Sequence, residues 1–157
     1  GGVLLVEDDP AEGTPPPDGL SMDVEYAFYP AETDCVRLTI RYRGDSTVYF
    51  GTDYTVCRFQ NGRWETLPGA DAWNSLLIGI GRPQFPVPGD ARQTKEYAYG
   101  FTARLAPRVY PSVYARYRIC KNVYMENPHR NYLLTADFTV TPFVPFTRFP
   151  EQTGDNN

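Results

Sequence analysis

The segment Val36-Arg37-Leu38-Thr39-Ile40-Arg41-Tyr42-Arg43 decides the fold class of this chain. Apolar side chains stand at its even-numbered positions and polar side chains at its odd-numbered positions. This period of two is that of a β-strand with one buried and one solvated face. Gly44-Asp45-Ser46 follows at once and is a typical turn sequence. The segment therefore predicts an amphipathic strand that ends in a turn.

Segments of similar length and pattern lie on both sides of this strand. Gln60-Asn61-Gly62-Arg63 carries the Asn-Gly pair that closes tight hairpins. The 12 Tyr, 9 Phe and 15 Pro of the chain favour strands and turns over helices. The strand after the Asn-Gly turn continues through Trp64 and Leu67. The remaining predicted strands are 22–29, 48–50, 54–59, 76–80, 94–102, 113–119 and 132–141. About seven to eight strands at this spacing predict an all-β, antiparallel β-sandwich.

The length of 157 residues is that of one domain. Residues 1–20 are acidic and rich in proline, so we expect a flexible N-terminal arm there. Residues 21–148 form the predicted sandwich, and 149–157 a polar tail. The chain starts at Gly1-Gly2 with no charged and apolar leader, and we expect a signal or anchor to have been removed.

The net charge of −4 argues against a nucleic-acid partner, because no basic field is present to hold a phosphate backbone. No apolar run approaches the roughly 18 residues of a membrane-spanning helix, so we expect no membrane insertion by this chain. The longest such run, Leu76 to Ile80, is interrupted by Gly79.

The order of these segments resembles the bacterial immunoglobulin-like domains of secreted and surface proteins and lipoproteins of Gram-positive bacteria. The sequences that carry the resemblance are VRLTIRY (36–42), VYFGTDYTV (48–56), FQNGRWETLP (59–68), DAWNSLLIGI (71–80) and YARYRICKNV (114–123). The resemblance implies an immunoglobulin-like fold and an extracellular or cell-surface location, secreted or lipid-anchored. It brings no catalytic residues.

Two of the three cysteines are candidates for a disulfide. Alternation places Cys57 and Cys120 on outward faces, and Cys35 either on an outward face or at the entrance of its strand. In immunoglobulin-like topology the strands of Cys57 and Cys120 are neighbours, so a bond forms if their Cα atoms come within about 6 Å. Three reduced thiols are the alternative. No Cys-x-x-Cys spacing points to a zinc site, and we expect no metal.

Catalytic chemistry has little to build on. His129 is the only histidine and lies in the polar connection Glu126-Asn127-Pro128-His129-Arg130, where no motif links it to a nucleophile. The acidic residues of the N-terminal arm do not have the spacing of a calcium loop. We therefore expect no enzyme activity and no cofactor.

Aromatic side chains flanked by arginine are the remaining candidates for binding. The residues proposed for a ligand-binding surface are Trp64, Trp73, Tyr97, Tyr99, Tyr110, Tyr114 and Arg116. The alternative is that one aromatic row is core and the other covers the sheet.

Two functions follow from the sequence. The first is a non-enzymatic extracellular structural or adhesion-type module, with a surface protein or a glycan as its partner. The second is a carbohydrate- or peptide-binding module that uses the aromatic and arginine surface. Homo-association through edge strands is a further expectation, because such strands present unpaired backbone groups.

Overall fold

The structure, a computed structural model, describes residues 5–7, 13–67, 77–81, 95–105, 114–126 and 129–142. Eleven strands lie in these ranges. They are β1 (Leu5–Glu7), β2 (Leu20–Val24), β3 (Phe28–Tyr29), β4 (Cys35–Gly44), β5 (Thr47–Phe50), β6 (Thr55–Gln60), β7 (Arg63–Leu67), β8 (Ile78–Gly81), β9 (Lys95–Arg104), β10 (Ala115–Met125) and β11 (Arg130–Val140).

A large sheet of eight strands is built around β10. One edge of β10 pairs with β11 along its whole length. The other edge is shared: β6 pairs with its first half and β5 with its last two residues. β7 and β1 continue the sheet beyond β6, β8 continues it beyond β5, and β3 runs parallel to the end of β11. The long strand β10 thus joins two separate strand pairs into one sheet.

A small sheet of three strands, in the order β2-β4-β9, covers one face of the large sheet. β4 is its centre and carries the alternation on which the prediction rests: Val36, Leu38, Ile40 and Tyr42 are buried, with exposed fractions of 4% or less. Their partners in the core are the inward residues of the large sheet, such as Ile119 and Leu134. Burial of this apolar surface between two sheets is the main stabilising term of the fold. The all-β antiparallel sandwich is confirmed.

The predicted hairpin at Asn61-Gly62 is confirmed. β6 and β7 pair up to Gln60 and Arg63, which leaves a two-residue loop. Asn61 and Gly62 both have positive φ, 57° and 79°. That is the type I′ geometry, in which both central residues are left-handed, and it explains why this pair of residues closes the hairpin.

The predicted strand at 22–29 is divided between the sheets. Its first part is β2, which pairs with β4 in the small sheet. Its second part is β3, which pairs with β11 in the large sheet. The chain crosses from one sheet to the other between Glu25 and Ala27. The alternation of the sequence continues through this crossing, although the partner strand changes from β4 to β11.

Part of the N-terminal segment 1–20 lies within the described residues. Leu5–Glu7 pair with β7 as β1, and the Thr14 carbonyl accepts a hydrogen bond from the Leu133 amide. The tail at 149–157 lies outside the described residues, and the boundaries proposed for the sandwich stay predictions. The described segments contain no helix that could cross a membrane.

Candidate functional site

Two tyrosines form an aromatic platform on the outer face of the large sheet. Tyr49 of β5 and Tyr124 of β10 are directly opposite each other in the strand register. Their ring centroids are 6.5 Å apart, with an angle of 27° between the ring planes. Since Val48, Val123 and Met125 beside them are buried in the core, alternation directs both tyrosines outward.

A glycine on the next strand makes room for one of these rings. Gly79 of β8 pairs with Tyr49. A Cβ atom on Gly79 would lie 3.0 Å from Cε1 and 3.1 Å from Cδ1 of Tyr49, closer than ordinary contact. The Tyr49 ring therefore leans over β8, and it can do so because Gly79 has no side chain.

Polar side chains border the platform on the other side. Asn131 of β11 is the register partner of Tyr124, and Asn122 lies two residues before Tyr124 on the same face of β10. Both asparagines are exposed. Glu126 follows β10, and its amide donates to the Thr47 carbonyl at 3.0 Å, which extends the pairing with β5.

These groups enclose an open cavity of about 530 Å³. Its lining consists of Tyr49, Phe50, Leu77, Asn122, Val123, Tyr124, Glu126 and Asn131. Sites for small molecules usually have volumes of roughly 300–1,000 Å³ and combine apolar walls with a few polar groups. No lysine or arginine is among these lining residues, and Glu126 supplies a carboxylate. The cavity therefore suits a neutral ligand better than an anion.

The Tyr124 hydroxyl is held from outside the cavity. It shares a hydrogen bond with Nδ1 of His129, in the turn between β10 and β11. The two rings also lie near each other, with centroids 5.9 Å apart. This contact fixes the direction in which the Tyr124 side chain points.

The predicted surface of Trp64 and Arg116 is found at the opposite end of β10. Trp64 is only 6% exposed, because the Arg118 guanidinium lies 4.4 Å above its ring. Arg118 donates from Nε and a terminal nitrogen to both Asp137 oxygens, at 2.7 and 3.0 Å. Arg116 also binds Asp137, at 2.8 Å. Here the arginines cover the tryptophan, so its ring is not open to a ligand.

The other predicted aromatic residues do not share one surface. Tyr97 and Tyr99 are on the inward side of β9 and are half-buried against the core; the Tyr99 ring meets Phe50 edge to face at 5.1 Å. Tyr114 is 50% exposed, just before β10. Trp73 and Tyr110 lie outside the described residues. The predicted set is thus distributed over both sheets.

Tyr49 and Tyr124 were not predicted as site residues. Each is the outward aromatic residue of its strand and has a buried residue on either side. The apolar neighbours of each tyrosine are the only indication of this in the sequence. That they meet follows only from the pairing of β5 with β10, and four of the described strands lie between these two along the chain.

Cys57 and Cys120 are together on the same outer face, between the platform and Trp64. The alternation that directs them outward is as predicted, but both are buried, with exposed fractions of 1% and 6%. They form a small cluster with Trp64 and Leu133, separate from the main core. Each of the three cysteines carries a thiol in the structure, and Cys35 is exposed.

Two buried cationic side chains were not anticipated, Arg58 and Lys121, which are 8% and 2% exposed. Lys121 is on the inner face of β10 and is 2% exposed. Its Nζ donates to the carbonyls of Gly51, at 2.8 Å, and Asp53, at 2.6 Å. These carbonyls lie where the chain leaves β5 and enters β6. Burial lowers the pKa of Lys121 below 10.5, and Asp53 opposes the shift.

Within the described part of the chain, no three His, Cys, Asp or Glu side chains gather in a group that could hold a metal ion.

Comparisons were made with curated sequences, solved structures and family models. No curated protein sequence matches the chain. Among solved structures, the chain is similar to the periplasmic chaperone SfaE, with 12% identity and a TM-score of 0.40, over 86% of this chain and 62% of the chaperone. It is also similar to the structural genomics target SoR45, with 12% identity and a TM-score of 0.37, over 83% and 92% of the two chains. This chain therefore spans less than two thirds of the chaperone's length.

A family model gives the more specific likeness. Residues 16–84, which include β2 to β8, match the model of the bacterial Ig-like domain. The protein is accordingly an all-β, immunoglobulin-like sandwich whose residues 16–84 are similar to bacterial Ig-like domains.

Proposed function

We propose that this domain is a non-enzymatic recognition module, displayed outside a bacterial cell, that binds a neutral saccharide on the platform of Tyr49 and Tyr124. The observation that carries the proposal is the cavity of about 530 Å³ above this platform. The likeness of residues 16–84 to bacterial Ig-like domains supports the extracellular location.

The chemistry of the cavity favours a sugar ring. Aromatic rings present a flat apolar surface, on which the C–H groups of a sugar can pack. Asparagine side chains offer both donors and acceptors, and sugar hydroxyls need both. Asn122 and Asn131 stand on the polar side of the platform. A charged sugar acid would meet the Glu126 carboxylate, and no lysine or arginine lines the cavity to bind the carboxylate of the sugar.

The location and the contacts of His129 support a binding role for this site and not a catalytic one. Nucleophilic catalysis needs a base next to an activated hydroxyl or thiol. The partner of His129 is the Tyr124 hydroxyl, a phenol at the edge of the cavity. Here the histidine positions an aromatic ring.

The test is a titration of the ¹⁵N-labelled domain with a panel of neutral oligosaccharides, followed by calorimetry on those that bind. We expect Tyr124→Ala to weaken binding at least about fivefold, because stacking contributes roughly 1 kcal/mol beyond the buried area. Tyr124→Phe keeps the ring and should bind within about threefold of the unchanged domain, since the hydroxyl faces His129.

Tyr114→Ala is the matched control, because Tyr114 is an exposed tyrosine outside the cavity lining. Loss of binding in Tyr114→Ala but not in Tyr124→Ala would contradict the proposed site. Silence towards all saccharides, with Tyr124-dependent binding of apolar peptides, would contradict the ligand class and assign the platform to peptides.

A further inference from the structure

Cys57 and Cys120 occupy diagonal positions on two neighbouring antiparallel strands. Cys57 of β6 is paired with Arg118 of β10, and Cys120 is paired with Thr55. The two cysteines are therefore offset by two residues on one face. Diagonal positions in such a pair have Cα atoms roughly 7–8 Å apart, with the Cβ atoms somewhat closer.

The two cysteines lie together in one buried cluster beneath a common cover. Cys57 Sγ lies 3.9 Å from the Thr66 hydroxyl. Trp64 and Leu133 complete the cluster. The contact with Cys57, and then burial, raise the pKa of the Cys120 thiol, so the folded pair is a poor nucleophile.

The position of the pair in the ladder permits a small approach. Cys120 and Thr55 are the last rung between β10 and β6, and from there the chain departs towards Asp53. Disulfides span Cα distances of about 4.4–6.8 Å. Bond formation therefore needs the Cα atoms of Cys57 and Cys120 to approach each other by about 1 Å, at the last rung of the pairing, where the fewest hydrogen bonds resist the movement.

We infer that Cys57 and Cys120 form an intramolecular, cross-strand disulfide when the chain folds in the presence of a disulfide oxidant. This inference is independent of the proposed saccharide site. The thiolate of one cysteine attacks the oxidant, forms a mixed disulfide and releases one thiol of the oxidant. The thiolate of the second cysteine then attacks the protein sulfur of that mixed disulfide and releases the second thiol. Two protein thiols are oxidised, one disulfide oxidant is reduced to two thiols, and the two protons pass to the departing thiolates.

The disulfide forms while the chain folds, because the two thiols are covered once folding is complete. In the folded domain both sulfurs are covered and the pKa of Cys120 is raised, so an oxidant reacts slowly. Before Trp64 and Arg118 close over the cluster, both thiols are accessible. Cys35 lies on β4 of the small sheet and is not part of this cluster.

The experiment uses the full chain with Cys35→Ser, so that only the two cysteines of interest remain. The protein is unfolded, reduced, and refolded either with oxidised and reduced glutathione or with reductant alone. We expect the oxidised sample to lose about 2 Da and to have no thiol that reacts in denaturant. Its melting temperature should be higher by about 10 °C, because the bond closes a loop of about 60 residues.

A second variant excludes trivial explanations. Cys35→Ser with Cys57→Ser should show no mass loss of 2 Da and no shift in melting temperature between the two refolding conditions. Two reactive thiols in the oxidised Cys35→Ser protein would overturn the inference. A stable adduct of glutathione on each cysteine would overturn it too, because it would show that the two sulfurs cannot meet.

Discussion

Lys121 shows how a single side chain can hold a sheet together where its strands diverge. Along β10 the partner strand changes from β6 to β5, and the backbone between them, 51–54, leaves the ladder. The ammonium group donates to the Gly51 and Asp53 carbonyls there. It also lies 5.4 Å from the rings of Phe50 and Phe101. Buried carbonyls without a donor are costly, so this lysine is a structural element of the core.

We expect Lys121→Met to destabilise the domain by about 1–3 kcal/mol, because methionine fills much the same space but cannot donate to the two carbonyls. Lys121→Ala should cost about 2 kcal/mol more, since it also leaves a cavity. Urea unfolding of the two variants and the unchanged domain measures both. Equal stability of Lys121→Met and the unchanged domain would show that water replaces the ammonium group.

Tyr29 makes the folding stability of the domain depend on pH in the alkaline range. Burial raises its pKa from 10.0 to about 12, although the hydroxyl accepts a hydrogen bond from the Tyr26 amide. Below pH 10 the phenol is neutral in both the folded and the unfolded chain. Between pH 10 and 12 the unfolded chain loses the proton first, so stability falls as the pH rises.

The expected loss from this one group is at most about 2 kcal/mol, since one pKa unit corresponds to about 1.4 kcal/mol and the phenol keeps some contact with water. Tyr29→Phe should be less stable at pH 8, by about 1 kcal/mol for the lost hydrogen bond. The difference between the two proteins should shrink or reverse by pH 12. Chemical unfolding at both pH values measures it, and a constant difference would contradict the assignment.

At the scale of elements, the local pattern predicts strands well but not their partners. The alternation of β4 and the Asn61-Gly62 turn are visible in a few residues, and the structure has both. The division of 22–29 into β2 and β3 is not visible, because the alternation does not stop where the hydrogen-bonding partner changes. The platform of Tyr49 and Tyr124 could not be predicted from local patterns either, because it depends on the register of β5 against β10.

Gly79 offers a test of how β8 supports the platform. Gly79→Ala places a methyl group about 3.0 Å from the Tyr49 ring, which must tilt away from β8. We expect saccharide affinity to fall several-fold while stability stays constant or rises by up to about 1 kcal/mol, because alanine is better than glycine within a strand. Calorimetry and thermal unfolding separate the two effects. A parallel loss of affinity and stability would mean that the substitution disrupts β8 itself.

At the scale of the whole molecule, the described sheets are completed by the second half of the chain. Residues 16–84 match the bacterial Ig-like model and contain β2 to β8. In that segment β2 pairs with β4, β5 with β8, and β6 with β7. No ladder among the described residues connects these three pairs to one another. β10 pairs with both β5 and β6 and so joins two of these pairs. β9 adds to β4 in the small sheet, and β11 adds to β10 in the large sheet.

A fragment of residues 16–84 should therefore not fold alone, although it contains the whole family match. Isolated two-stranded pairs are marginal in water, and three strands with a shared apolar face are the usual minimum. Without β10 and β11, residues such as Val48, Val56 and Leu38 lose the inward side chains that cover them. We expect the fragment to give the circular dichroism and narrow amide dispersion of an unfolded chain, whereas a fragment of residues 13–142 should unfold cooperatively. A folded fragment 16–84 would show that its three strand pairs can pack without β10, and that the sandwich has an independent first half.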